Sequence, residues 1–292
     1  FKCDWSSDVC SSDLLGLEHF LDHLNGHARR LIFGNMINAI GMGLTMTLFL
    51  VYLHTIRGFS GGFSGLVMSY MAVFSMVINP LIGILIDKYG GRIVLIFGLF
   101  IKAVGVFSLA FVESKPQVIG VATILAIGDS ANWPAQTVCL TRMVEEEARQ
   151  KVFAFNFMAL NLGIGIGGIL SALIVTAGEL ITYQRLYWMD SLTYLVYAAF
   201  AISLPVWVGQ RLNKEDKQSG SYREVFKNKE LMKLSRASVL LVLFGYASVS
   251  AGLPLFVTSV LGASPKWLGL IWAANCFGII LMQGPMLKWL EK

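Results

Sequence analysis

The sequence predicts an all-α integral membrane protein, and three observations carry that prediction. Charged residues are only 14% of the 292-residue chain while 55% are hydrophobic, against roughly 25% charged in an ordinary globular protein. Mean hydropathy is +0.65. The apolar residues recur in runs of about 20, the length a helix needs to cross the hydrocarbon core. A soluble chain of this size could not coat its surface with so few polar groups, whereas lipid favours an apolar exterior. The net charge of +5 does not point to nucleic acid, because the basic residues sit in short connectors, where lipid headgroups and membrane potential explain them.

Eight stretches fit a spanning helix: 31–54, 62–86, 93–112, 117–140, 152–176, 186–208, 237–260 and 267–290. Pro134 and Pro254 are tolerable inside them because neighbouring helices satisfy the freed backbone groups. A membrane barrel would show ten-residue alternation instead, and these runs are apolar on every side. Arg29, Arg30, Lys88, Arg92, Arg142, Arg149, Lys151, Lys288, Lys292 and the run from Arg211 to Arg236 fall on one side. The alternate connectors hold only Arg57, Lys115, Arg185 and Lys266. That bias predicts a cytoplasmic N-terminus, and the membrane expected is a bacterial inner membrane.

Outside the spans, residues 4–14 (DWSSDVCSSDL) read as a sequencing adapter translated in one frame, so 1–14 are set aside as a scar without function. Residues 15–30 space Leu17, Phe20, Leu21 and Leu24 as an amphipathic interfacial helix does. His19, His23 and His27 share one side of it and read as a solvated polar face rather than a metal site. With Cys3 and Cys10 in the scar and Cys139 and Cys276 far apart in apolar runs, neither a disulfide framework nor a metal site is expected. Residues 209–236 form a long polar linker that divides six spans (31–208) from two that follow (237–292), the plan of a two-bundle transporter.

The connector between the second and third spans reads GILIDKYGGR, with Gly83, Leu85, Asp87, Lys88, Gly90 and Arg92. It resembles the signature of the major facilitator superfamily, Gly-x-Leu-x-Asp-Arg/Lys-x-Gly-Arg-Arg/Lys, in the expected connector; Gly91 stands where a basic residue is common. Physically, Gly83 permits close helix approach, and Gly90 and Gly91 permit a tight turn with positive φ. Asp87 can accept hydrogen bonds from Arg92 or Arg149. The resemblance implies a transporter fold with a complete six-helix first half plus the first two helices of the second, and a cytoplasmic latch at this turn that stabilises the outward-facing state. Glu147, Arg149 and the stretch 153–161, with Asp190 in YWMDSLTYL, resemble the same superfamily. Gly163, Gly167 and Ser171, with Ala274 and Gly278, form small-residue stripes expected to line the junction of the two bundles. Ile124 in place of an arginine before Gly128, the absence of proline from NLGIGIGGIL and Met42 between Gly41 and Gly43 depart from the pattern of many proton-driven drug antiporters.

In this fold the first and fourth helices face the central cavity, which makes their polar faces the substrate candidates: Asn35, Asn38 and Thr45, and Asp129, Asn132 and Gln136. Unpaired in lipid, such groups would cost several kcal/mol. Lys102 lies about 14 Å and Asp129 about 17 Å from the cytoplasmic end, at 1.5 Å per residue. A lone charge near the midplane costs about 2.5–3.5 kcal/mol, so a Lys102–Asp129 pair is expected, either as a titratable coupling site or as a static tie between helices.

The functional expectation is secondary transport of a small organic solute, as export of the multidrug or metabolite type, by alternating access, driven by an ion gradient of the proton type and using no bound cofactor. Uptake, or a non-transporting sensor or scaffold of the same fold, are the alternatives. The expected partners are solute and bilayer, with no nucleic acid, and the complete protein is expected to be a monomer. An enzyme would need a nucleophile with a base or paired acids at one depth, and Asp190 is placed shallower than Asp129; a nucleotide-driven pump would need a GxxxxGK[ST] loop. Eight spans where the family has twelve read as a truncated fragment, expected not to transport alone.

Overall fold

The computed structural model describes residues 25–209, 227–246, 249 and 252–290. The expected scar, His19, His23 and the middle of the linker lie outside the described residues. Seven long helices coincide with the expected spans: α1 Gly26–Ile56, α2 Gly61–Tyr89, α3 Gly91–Leu109, α4 Lys115–Met143, α5 Arg149–Ile174, α6 Leu180–Ile202 and α8 Lys266–Leu290. The remaining span begins as α7, Lys229–Leu241, and continues through a π turn, Val242–Tyr246. α7 starts eight residues before the expected boundary at 237, inside the expected linker, and α6 starts six residues before its expected boundary at 186. The first turns of α6 carry Thr182, Tyr183, Gln184 and Arg185, whose polarity disguises helix as connector.

Local chemistry explains where the helices begin. The Asn25 side chain accepts from Ala28 N at 2.8 Å to cap α1, and Ser60 accepts from Phe63 N to cap α2. A capping box joins Ser114 and Gln117 at the head of α4, with Pro116 in the first turn where its missing N–H has no cost. Gly90 ends α2 at φ 88°, a conformation that side-chain-bearing residues rarely adopt. A β-carbon there would also fall 1.6 Å from the Gly209 carbonyl oxygen, so it is excluded twice.

Among the described residues five helices are long and apolar enough to cross a membrane by length and composition alone: α1, α2, α3, the stretch Glu146–Ile174 that contains α5, and Lys266–Gln283 within α8. The helices α4 and α6 are also of spanning length but carry more polar residues, and those are largely turned inward: Asn132, Gln136, Thr182, Asp190 and Ser191 are all buried. The helix α3 packs along α4 and α6, α1 along α5 and α6, and α2 along α4.

Because lipid is as apolar as leucine, close packing rather than the hydrophobic effect joins such helices. A glycine stripe at seven-residue spacing on α3 lets α4 approach: β-carbons on Gly91, Gly98 and Gly105 would press on Val138, Ala131 and Leu125. Gly163 and Gly167 of α5 lie against Ala39 and Gly43 of α1, and Ser171 donates to Leu44 O at 2.9 Å. The stripe expected at the bundle junction therefore joins α5 to α1. The α5–α8 crossing uses the neighbouring face, where Gly168 and Gly269 meet backbone to backbone beside Ala172 and Ala273. Ala274 is exposed and Gly278 has open space around it.

The chain repeats itself at the ends of α1 and of the segment after α7. In each a one-turn helix, Phe49–Val51 or Leu253–Leu255, runs into a π turn, Tyr52–Ile56 or Phe256–Val260. Matching hydrogen bonds close them: Arg57 N to Tyr52 O at 2.9 Å and Leu261 N to Phe256 O at 3.0 Å. Gly58 (φ 73°) and Gly262 (φ 62°) then turn both chains into the next helix.

Candidate functional site

Two cavities adjoin across the wall made by Met42 and Met46 of α1. The first, about 300 Å³, lies inside the six-helix bundle and is lined by Thr45, Lys102, Asp129 and Asp190 together with Met68, Met71, Tyr187 and Tyr194. The second, about 510 Å³, lies between that bundle and the α7–α8 unit. Its lining is apolar and aromatic, with Trp133, Phe157 and Ile271, and carries Asn161 and Asn275 as amides. An apolar pocket with a few fixed polar groups is the usual form of a small-molecule site.

Lys102 and Asp129 form an ion pair across the α3–α4 crossing, their side chains 11% and 44% exposed. The crossing is tight at this level because Gly128 would carry a β-carbon 3.0 Å from Lys102 N. The lysine is thus enclosed while the carboxylate faces open space. Opposite them, Thr45 Oγ1 donates to Asp190 Oδ2 at 2.6 Å; Asp190 is only 2% exposed, and its Oδ1 has no hydrogen-bond partner. Gly41 makes room for this carboxyl, since a β-carbon there would sit 2.6 Å from Oδ1.

The remaining polar residues of α1 and α4 turn into the bundle core. Asn35 Nδ2 and Gln136 Nε2 both donate to Asn156 Oδ1, at 3.1 and 3.2 Å, tying α1, α4 and α5 with charge-free hydrogen bonds. Asn38, 2% exposed, is hydrogen-bonded to Tyr194. Asn132 is 8% exposed with Oδ1 unpartnered. Of the six residues assigned to substrate from sequence, Thr45 and Asp129 line the charged cavity, whereas Asn35, Asn38, Asn132 and Gln136 line neither of the two cavities.

The turn from α2 to α3 departs from expectation in three places. Arg92 donates to the carbonyls of Ala201 (3.3 Å) and Ile202 (2.6 Å) at the end of α6, where a cation also complements the helix dipole. Arg149 approaches Glu146 at 3.8 Å. Neither is engaged by Asp87, which is exposed beside Lys88; Leu85 is exposed too, and Lys88 stands over the Tyr89 ring. Gly83 has open space around it rather than a close helix. Gly91 begins α3 without positive φ and serves as packing surface, leaving the turn to Gly90.

Sequence reasoning passed over Asn156 and set Asp190 aside as too shallow. With α6 beginning at Leu180, Asp190 is ten residues along the helix, about 15 Å deep. The family profile described as Major Facilitator Superfamily matches residues 31–292. The chain belongs to the major facilitator superfamily. It is therefore a multi-pass membrane protein. Among curated members it is 25% identical over 277 residues to the MFS-type transporter YttB of Bacillus subtilis, covering 89% of this chain and 66% of YttB. It is 23% identical over 173 residues to the multi-drug resistance efflux pump PmrA homolog of Lactococcus lactis, covering 57% of this chain and 42% of that protein. It is 26% identical over 145 residues to the quinolone resistance protein NorA of Staphylococcus aureus, covering 48% of this chain and 37% of NorA. The chain spans about two thirds of the length of YttB and a smaller share of the other two.

Proposed function

We propose that the complete protein is a secondary transporter that moves a small organic solute across the membrane by alternating access, in the direction of export. The observation that carries this reading is the apolar cavity of about 510 Å³ at the junction of the two bundles, where rocking of one bundle on the other would open it to either side. Its aromatic and methionine lining suits an amphiphilic solute, since methionine adapts its shape to varied partners. The names of the PmrA homolog and NorA support export. The asymmetry of lysine and arginine supports a cytoplasmic N-terminus in the inner membrane.

In this reading Lys102 and Asp129 belong to the coupling machinery beside the solute path, with the proton gradient as the driving force. Thr45 and the amides of Asn35, Asn38, Asn132 and Gln136 hold the helices whose movement opens the path. Gly83 and Asp87 serve the cytoplasmic latch, and their open surroundings leave them free to receive a further helix. The test is uptake of a fluorescent amphiphilic dye by everted vesicles carrying the complete protein, with a proton gradient imposed. Gradient-dependent accumulation, lost in Lys102→Ala with Asp129→Ala, is expected. Accumulation only in right-side-out vesicles would reverse the direction, and none in either orientation would favour a non-transporting sensor.

A further inference from the structure

A groove of about 380 Å³ runs along α1 between α5 and α6 and shares no lining residue with either cavity described above. Helix spacing sets its direction. Arg29, Phe33 and Met36 stand at i, i+4 and i+7 on α1, and Phe155 and Ala159 at i and i+4 on α5, so each helix contributes a stripe along its own axis. The stripe on α1 covers seven residues, about 10 Å at 1.5 Å per residue. Ile32 and Ala159, 3% and 7% exposed, make the floor. Phe33, 51% exposed, meets Phe200 of α6 edge-on at 5.8 Å and makes one wall. Gly34 holds that wall close, since a β-carbon there would fall 2.9 Å from Phe200 Cβ. The shape suits a linear hydrocarbon lying parallel to the helices.

At the head of the groove stand Arg29 and Arg30, both exposed, and no acid lines it. Both lie within the first five residues of α1, whose first turn carries no acid and whose cap, Asn25, is neutral. The positive end of the helix dipole therefore adds to two guanidinium charges rather than being offset. Such a cluster repels itself until an anion joins it, and guanidinium forks match phosphate oxygens in pairs. An aromatic anchor marks the same level: Trp207, in the helical turn Val206–Gly209 after α6, is 44% exposed and packs edge-on at 6.3 Å against His27. Tryptophan favours the headgroup layer of a bilayer. We propose that this groove binds one anionic phospholipid, its phosphodiester on Arg29 and Arg30 and an acyl chain along Phe33, Met36 and Phe155. Because three helices line the groove, the lipid ties α1 to α5 and α6 at their basic ends. A zwitterionic lipid brings its own cation to the arginines and gains less, and a phosphate ion leaves the apolar trough unfilled.

The site requires only that the chain sits in a bilayer and is independent of what the protein transports. The test is native mass spectrometry of the full chain in detergent, titrated separately with phosphatidylglycerol and phosphatidylethanolamine of the same acyl chains. Phosphatidylglycerol should bind more tightly. Arg29→Gln with Arg30→Gln should weaken it on the order of thirtyfold and erase the preference. Ala159→Trp, which fills the trough and keeps both arginines, should weaken it too; Phe33→Ser, at a half-exposed position, replaces that variant if it does not fold. Inorganic phosphate added as competitor should displace no lipid. Equal affinity for the two lipids, a preference that survives loss of both arginines, or displacement by phosphate overturns the proposal. So does binding that appears only in Leu17→Gln with Phe20→Gln, which would show the groove covered by the chain's own segment 15–24. A lipid-free dimer that Phe33→Ser abolishes would give the groove to a second copy and overturn it as well.

Discussion

At the scale of single residues, amides and charges buried among apolar helices explain themselves by what they touch. Asn156 shows this most simply: one carbonyl oxygen serves donors from α1 and α4. Asn156→Leu would leave both Asn35 and Gln136 without an acceptor, at a cost of about 1–3 kcal/mol; Asn156→Gln, which keeps a neutral amide acceptor, should cost less than the leucine variant. Unfolding in mild detergent checks the order, and an equal loss in the two variants would assign the effect to packing. Arg92 offers a second case. Its bonds to Ala201 and Ile202 are made to carbonyls that α6 cannot satisfy internally. Arg92→Ala should lower the unfolding temperature, whereas Asp87→Asn, altering an exposed side chain without those bonds, should leave it nearly unchanged. The polar positions on α1 and α4 were visible in sequence because amides and acids stand out in apolar runs. Their partners were not, because Asn156 sits in a stretch that is polar at its head, and nothing in spacing says which neighbouring helix an amide will meet.

At the scale of helices, hydropathy located the spans to within a few residues, except that α7 starts eight residues early and α6 six residues early. The α6 error arose from Thr182 to Arg185, which look like connector and form helix, and it concealed how deep Asp190 lies. Small-residue spacing fared similarly: Gly163, Gly167 and Ser171 are a packing face, but periodicity specifies a face of one helix and not its occupant, which proves to be α1. The α5–α8 crossing gives the sharpest prediction at this level. Gly168→Leu should separate α5 from α8, since a β-carbon there already falls 2.7 Å from Gly269 O. Gly278→Leu on the same α8 should be tolerated, having open space. Disulfide trapping between cysteines at Ala172 and Ala273 would report the difference, forming readily in Gly278→Leu and poorly in Gly168→Leu.

At the scale of the whole molecule, the repeated π turns and the matched glycines at 58 and 262 give two segments the same build, and Met42 and Met46 form a wall shared by two cavities. The superfamily signature was legible because its turn requires Gly90 and places basic residues on one side, and the cavity at the junction was not, because it is lined by apolar residues that resemble any others in sequence. The most direct measurement is alkylation of a cysteine placed at Asn161 of the complete protein, with a membrane-impermeant reagent applied from each side in turn. Alternating access predicts reaction from one face at a time, with the reactive face switched by an imposed proton gradient and the thiol protected by transported dye. Reaction from one face regardless of the gradient, or from neither, would contradict it.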